Sequence, residues 1–336
     1  MTKVSVLGAG GWGIAIANLL CEKGYQIALW EFDKTAADEL SKSRVLPAKL
    51  PGIRLNDSII VTNELAQAVD NSEFINFVVP SQTLRSVARK ISEIKTDKRP
   101  ILITLAKGIE VDTLKRMSEI LEETLPQTGY SGIAALSGPS HAEEVSRGIP
   151  TAVVAASKNK EISSAVQNLF RTPRFRVYTS DDITGVELAG SLKNIIALAA
   201  GMLDGLGLGD NTRGALLTRG LAEIVRMGKR LGADPITFSG LSGVGDLVTT
   251  CLSHHSRNRY VGEQIGLGKS LQEVLSGMSM VAEGVQTTRS GYQLSRLHKV
   301  EMPITAQVHH VLFEGKSPAE AMSDLMVRDP KPEDWS

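Results

Sequence analysis

A run of glycines directly after a short apolar stretch sets the tightest limit on how this chain can fold. Lys3–Leu7 predicts a buried strand, Gly8-Ala9-Gly10-Gly11-Trp12-Gly13 follows at once, and a helical pattern then runs to about Lys23. Gly24 stops that helix, and residues 25–30 predict a second strand. This β-α-β unit of about 30 residues is the setting in which G-x-G-x-x-G acts as a dinucleotide fingerprint. Gly8 makes the tight turn, Gly10 lets backbone approach a pyrophosphate, and Gly13 lets the helix pack on the strand. The helix N-terminus attracts the anion.

The second strand ends in Trp30-Glu31-Phe32-Asp33-Lys34. An acidic residue there bonds ribose hydroxyls and repels a 2′-phosphate, which favours NAD over NADP. As ordinary loop charges, Glu31 and Asp33 would carry no such meaning, and Lys34 or Arg44 could still reach a 2′-phosphate. Further strands are predicted at 59–61, 74–79, 101–105 and 133–136, separated by helical segments such as 81–91 and 113–125. The pattern is a doubly wound α/β sheet. Ligands of such sheets sit outside the carboxyl ends of the strands, so Lys107 in Ala106-Lys107-Gly108 is positioned for an anionic substrate or the cofactor. In Ser137-Gly138-Pro139-Ser140-His141-Ala142-Glu143-Glu144, Ser140 and Glu143 have capping-box spacing, but the favoured reading is a turn that touches ligand through backbone and hydroxyl. The adjacent Ser140-His141 pair lacks a nucleophile elbow and is not a catalytic dyad.

Strands at Thr151–Ala156 and 175–178 flank a helix at 163–170, and after about Thr179 strand patterns cease. Helical patterns follow at 186–203, 213–231, 271–276, 283–297 and 304–314. Residues 1–180 are therefore read as a Rossmann-type dinucleotide-binding domain and 181–336 as an all-helical substrate-binding and catalytic domain. Within the helix at 186–203, Leu188, Leu192, Ile195, Ala199 and Leu203 form an apolar stripe that Lys193 borders. No carboxylate stands one turn away to pair with the Lys193 ammonium. Burial would then disfavour the charged form and make the amine a general base; alternatively the side chain snorkels to water.

The segment Gly243-Val244-Gly245-Asp246-Leu247-Val248-Thr249-Thr250-Cys251, with Ser256-Arg257-Asn258-Arg259, gathers an acid, hydroxyls and basic groups in one polar loop. Arg257 and Asn258 offer N–H donors suited to a phosphate, although an isolated S-R-N-R run is more often a solvated charge run beside helix termini. Gly268-Lys269-Ser270 lacks the strand and earlier glycine of a P-loop. The histidine pairs His254-His255 and His309-His310 have no H-E-x-x-H or carboxylate spacing, so no metal is expected.

Composition narrows the partners. Lys+Arg and Asp+Glu both number 37, which calls for neither nucleic acid nor an anionic membrane. Cys21 and Cys251 form no disulfide framework or C-x-x-C pattern, and a cytoplasmic protein is expected. Gly8, Gly10, Gly11 and Gly13 interrupt what would otherwise imitate a secretory signal. No run reaches the ~20 unbroken apolar residues of a membrane span, so no membrane insertion is expected.

Taken in order, these motifs resemble NAD(P)-dependent sn-glycerol-3-phosphate dehydrogenases over nearly the whole chain. The likeness rests on G-A-G-G-W-G at 8–13, V-V-P-S at 78–81, A-K-G at 106–108, G-P-S-H-A-E-E at 138–144 and L-K-N at 192–194. It continues through D-G-L-G-L-G-D-N at 204–211, G-V-G-D-L-V-T-T-C at 243–251, S-R-N-R at 256–259 and V-A-E-G at 281–284. The resemblance implies Lys193 as proton acceptor, with Asn194, Asp246 and Thr250 at the catalytic centre. It implies that Lys107, Gly138, Ser140, Lys193, Asp246, Ser256, Arg257 and Asn258 hold substrate. Gly8, Gly10, Gly11, Trp12, Gly13, Phe32, Lys107, Ala142, Arg257, Val281 and Glu283 would contact NAD or NADP. A homodimer that supplies glycerol 3-phosphate for phospholipid synthesis is also implied. Gly11 stands where serine is common in bacterial members, and Phe32 where a basic residue or histidine often meets the adenosine end. Two other readings share these features: a 3-hydroxyacid or 6-phosphogluconate type dehydrogenase, and a non-catalytic NAD-sensing protein.

Overall fold

Among the described residues the short apolar runs become eight strands: β1 Lys3–Leu7, β2 Gln26–Trp30, β3 Ile60–Thr62, β4 Phe74–Phe77, β5 Ile101–Thr104, β6 Gly132–Ser137, β7 Thr151–Ala156 and β8 Phe175–Ser180. They form one sheet in the order β3-β2-β1-β4-β5-β6-β7-β8, parallel throughout except for the antiparallel β6–β7 pair. The order 3-2-1-4-5-6 is that of the doubly wound dinucleotide fold, and the chain reverses direction across the sheet between β1 and β4. The structure is a computed structural model that describes Met1–Glu333 except Lys95, Asp97, Ser279 and Lys331. It divides into two units, Met1–Lys107 with Lys115–Ile183, and Gly108–Leu114 with Thr184–Ser336. Gly108–Leu114 thus groups with the helical unit, whereas a single cut after residue 180 assigned it to the first.

In the first unit, helices α1 Gly11–Glu22, α2 Lys34–Ser43, α3 Leu65–Val69, α4 Leu84–Ser92, α5 Met117–Thr124, α6 Ala142–Val145 and α7 Lys160–Phe170 connect the strands. Strand residues such as Val4, Val6, Leu29 and Ile103 are buried, as expected where helices cover both faces of a parallel sheet. The β1–α1 turn is the tightest point. Gly8 has φ +116°, and a Cβ there would fall 2.9 Å from the Val78 carbonyl oxygen beyond β4. A Cβ on Gly13 would fall 1.8 Å from the Gly8 carbonyl oxygen. Two of the three fingerprint glycines are therefore required by backbone packing alone.

In the second unit, α8 Ile183–Gly205 and α9 Asp210–Arg230 are followed by α10 Asp246–Leu252, α11 Arg257–Gly266, α12 Leu271–Ser276, α13 Glu283–His298, α14 Pro303–Phe313 and α15 Pro318–Met326. By length and composition α8 is apolar enough to cross a membrane, yet its most apolar stretch is wholly buried within the protein. It is also not amphipathic. Every residue from Val186 to Met202 is buried, so the expected one-sided stripe is replaced by a central helix enclosed by others. The polar loop expected over 243–259 is largely helical, because a π turn at Leu241–Gly245 leads into α10 and Ser256 caps α11.

Glu223 on α9 is fully enclosed, and its carboxylate accepts hydrogen bonds from the Ile304 N–H (2.5 Å), the Thr305 N–H (3.1 Å) and the Thr305 hydroxyl (3.0 Å). It closes the N-terminus of α14, where backbone N–H groups have no helical partner. Burial nevertheless outweighs these donors and pushes its pKa up to about 7. A carboxyl raised above its unfolded value of 4.5 stabilises the fold most below that value and loses the contribution as pH rises through about 7.

Two predictions follow from these packing features. Gly13→Ala should cost at least ~1–3 kcal/mol of unfolding free energy, measured by urea denaturation, and weaken cofactor fluorescence enhancement. Between pH 5 and pH 8 the wild-type chain should lose up to ~3 kcal/mol relative to Glu223→Gln; parallel pH–stability curves would contradict this role for Glu223.

Candidate active site

In the first unit, α1 begins at an open terminus. Its N-cap, Gly10, makes no side-chain capping bond, no acidic residue lies in the first turn, and a Cβ on Gly10 would meet nothing within 4 Å. Free backbone N–H groups, the positive helix end and this open approach fit a pyrophosphate. Gly11 lies against the Lys49 carbonyl, which a Cβ there would approach to 2.8 Å, so the serine common at this position would crowd the backbone. Trp12 is half-buried against the apolar core on the same turn.

The adenosine end differs from expectation. Asp33 accepts a hydrogen bond from the Ala36 N–H at 2.7 Å and so caps α2, while Glu31 lies 3.5 Å from the Lys49 ammonium. Lys34 pairs with Asp38 and Arg44 donates to the Ile59 carbonyl, so both cations proposed for a 2′-phosphate are engaged elsewhere. The nearby cation that sequence reading missed is Lys90 on α4, whose ammonium lies 5.3 Å from the centre of the Phe32 ring. Phe32 is 70% exposed and edge-on to Trp30. No local pattern links Phe32 to Lys90, 58 positions later.

Lys107 and Ser140 both donate to the Gly138 carbonyl, each at 2.9 Å, which ties the loop after β5 to the loop after β6. The Ser140–Glu143 capping box, the alternative to a ligand-touching turn, does not form. Gly138 takes φ +139° and turns the chain so that Ser140 bonds back to it, and α6 starts with His141 as its N-cap, without a capping bond from its side chain. Ala142 is the first residue of α6.

In the second unit the polar residues of α8 find partners on other helices. Lys193 is 5% exposed; its Nζ lies 2.9 Å from Asp246 Oδ1 and donates to Thr250 Oγ1 at 2.5 Å. Thr250 in turn donates to Asp246 Oδ1 at 3.1 Å. Asp246 and Thr250 stand one turn apart on α10, which puts both oxygens on the face that meets Lys193. Lys193 does not snorkel to water, and its ammonium has a counter-charge that the neighbouring turns of α8 do not supply. That partner lies 53 positions along the chain, outside any search one helical turn away.

A second cluster adjoins Lys193 in sequence. Asn194 Oδ1 accepts from Asn258 Nδ2 at 2.9 Å, and Asn258 Oδ1 accepts from the Gly284 N–H at 2.9 Å, joining α8, α11 and α13. Ser256 accepts from the Arg259 N–H as N-cap of α11. Arg257 donates to the Val281 carbonyl at 2.8 Å, and Glu283 opens α13. Sequence reading also missed Asp204, which pairs with Arg213 at 2.5 Å and Arg259 at 2.7 Å and fastens α8 to α9 and α11. Cys251 is no nucleophile here, since burial pushes its thiol up to about 12. Chemically, the first unit offers backbone donors to a phosphate diester, and the second offers a fixed amine with a carboxylate and a hydroxyl that hold its proton.

Comparison with known proteins agrees with this chemistry. Residues 3–163 match the family model described as NAD-dependent glycerol-3-phosphate dehydrogenase N-terminus, and residues 182–323 match the corresponding C-terminus. A glycerol-3-phosphate dehydrogenase [NAD(P)+] of Chlorobium limicola is 53% identical over 330 residues, covering 98% of this chain and 99% of that protein. One from a Thermoanaerobacter species is 53% identical over 331 residues, covering 98% of both chains. The crystal structure of a glycerol-3-phosphate dehydrogenase from Coxiella burnetii superposes with a TM-score of 0.93 at 36% identity, covering 97% of this chain and 99% of that one. These matches support neither a hydroxyacid or 6-phosphogluconate type dehydrogenase nor a non-catalytic sensor. With both halves matched and relatives similar over nearly their full length, the chain belongs to the NAD-dependent glycerol-3-phosphate dehydrogenase family.

Proposed function

We propose that the chain interconverts dihydroxyacetone phosphate and sn-glycerol 3-phosphate, with Lys193 as the group that takes and returns the proton. It is an NAD(P)-dependent oxidoreductase acting on a CH–OH group. The observation that carries the role of Lys193 is its enclosure with Asp246 and Thr250, which fixes one amine in one place. When bound, the nicotinamide cofactor supplies or removes the hydride at C2 of the substrate. In the oxidising direction the neutral Lys193 amine takes the hydroxyl proton; in the reducing direction its ammonium protonates the developing alkoxide. Asp246 stabilises the ammonium between these states, and Thr250 holds the direction of Nζ.

Arg257 and Asn258 supply phosphate donors, and Ser256, Lys107, Gly138 and Ser140 complete substrate binding. Asn194 acts on catalysis by fixing Asn258. Gly8, Gly10, Gly11, Trp12 and Gly13 receive the pyrophosphate region, with Phe32, Ala142, Val281 and Glu283 as further cofactor contacts. Glu31 supports NAD and the Lys90 ammonium supports a 2′-phosphate, in keeping with use of either cofactor. The chain works as a cytoplasmic homodimer and supplies glycerol 3-phosphate for phospholipid synthesis.

Lys193→Ala should lower kcat for dihydroxyacetone phosphate reduction by ~10²–10⁴, assayed with NADH and NADPH side by side, while cofactor fluorescence titrations stay close to wild type. Retained turnover would remove Lys193 from the mechanism. Asp246→Asn should cost ~3–5 kcal/mol of stability, because it leaves a buried ammonium without its counter-charge. Lys193→Met with Asp246→Leu should recover most of that stability in urea denaturation and none of the activity; additive losses would argue against the coupling.

A further inference from the structure

The histidine pair at the end of α14 has a carboxylate partner one helical turn beyond His310, at i,i+4, a spacing passed over in the sequence. Neighbouring helical residues point about 100° apart, so His309 and His310 alone do not chelate an ion. Glu314, the residue after α14, brings its carboxylate back over that last turn. Its Oε1 lies 3.2 Å from His309 Nδ1 and its Oε2 lies 3.9 Å from His310 Nε2. The ligand atoms of all three residues lie within 4.8 Å of one another. Nitrogen and oxygen ligands about 2.0–2.2 Å from a tetrahedral ion stand roughly 3.3–3.6 Å apart, a spacing that the two measured contacts bracket.

Three further features favour an ion here. His309 Nδ1 is buried and makes no hydrogen bond among the described residues, although a carboxylate oxygen faces it. A buried polar atom of this kind calls for a partner, and a cation between the two atoms provides one. The His309 ring is already oriented, stacked on Tyr292 with centroids 4.1 Å apart and packed at 5.1 Å against Phe313, so little freedom is lost on binding. The ligands also occupy the C-terminal end of α14, the negative end of the helix dipole. Against these stand two cations, Arg289 above the Phe313 ring and Lys316, the latter paired with Asp324.

We propose that His309, His310 and Glu314 form a site for one divalent transition-metal ion of the imidazole-preferring class, such as Zn²⁺ or Cu²⁺, distinct from the dehydrogenase chemistry. Glu314 is half exposed, which leaves room for water to complete the coordination. The ion would lock the turn after α14 to the helix that precedes it.

The test uses full-length protein stripped with chelator and titrated with Zn²⁺ by equilibrium dialysis with elemental analysis. Wild type should bind one ion more per chain than either Glu314→Gln or His310→Asn, or bind it at least about tenfold more tightly. With Cu²⁺, electron paramagnetic resonance should show coupling to two imidazole nitrogens in wild type and to one in His310→Asn. Circular dichroism and dehydrogenase turnover should be unchanged in both variants, which separates loss of the site from loss of the fold. Absence of a saturable Zn²⁺ site below about 0.1 mM would overturn the proposal and leave a shared proton between His309 and Glu314. Equal stoichiometry and affinity in wild type and both variants would overturn it too, by assigning any bound ion to other histidines such as His254 and His255.

Discussion

The ion pair between Lys193 and Asp246 is the constraint around which the helical unit is arranged. An isolated ammonium at that depth would have to give up its charge or reach water, because apolar surroundings cannot replace its hydration. The unit instead brings α10 against α8 so that a carboxylate and a hydroxyl meet the same nitrogen. A buried pair of this kind contributes little net stability, since desolvation offsets attraction, but losing either member costs a great deal. Such an arrangement is costly for a scaffold and useful for an amine that must hold and release a proton at one position. The neighbouring Asn194–Asn258–Gly284 chain and the Asp204–Arg213–Arg259 cluster follow the same rule: polar groups on buried faces are answered from another helix.

The two units present hydrogen-bond donors by different means. In the first, backbone does the work: an uncapped helix start, glycines without side chains and a turn packed against the Val78 carbonyl. In the second, the polar donors at the start of α11 are side chains, Arg257 and Asn258. A backbone site tolerates almost no added volume, whereas a side-chain site depends on which functional groups are present. The close contacts at Gly8 and Gly13 and the hydrogen bonds of Asn258 are the structural expressions of that difference.

What could be read from the sequence was what depends on near neighbours. The β1–α1–β2 fingerprint was legible because turn, strand and helix lie within one short window, and Thr151–Ala156 because an unbroken apolar run of that length suits a covered strand. The helical character of α11 was obscured by its charged residues, although Ser256 at its N-cap was a usable sign. The Ser140–Glu143 spacing fits a cap, but Gly138, in a left-handed conformation, redirects the chain so that the cap does not form. The partners of Lys193, Asn194 and Phe32 were illegible for one reason: each is fixed by packing between elements and not by helical or strand period.

The span of those contacts also bears on how the protein acquires its activity. Lys193 bonds Thr250 across 57 positions, and Asn194 bonds Asn258 across 64. Closing such loops costs chain entropy before any contact rewards it, so these pairings form late relative to the helices that carry them. During refolding, helical signal therefore returns ahead of turnover, and the chemistry becomes a reporter of the final docking of α10 and α11 onto α8.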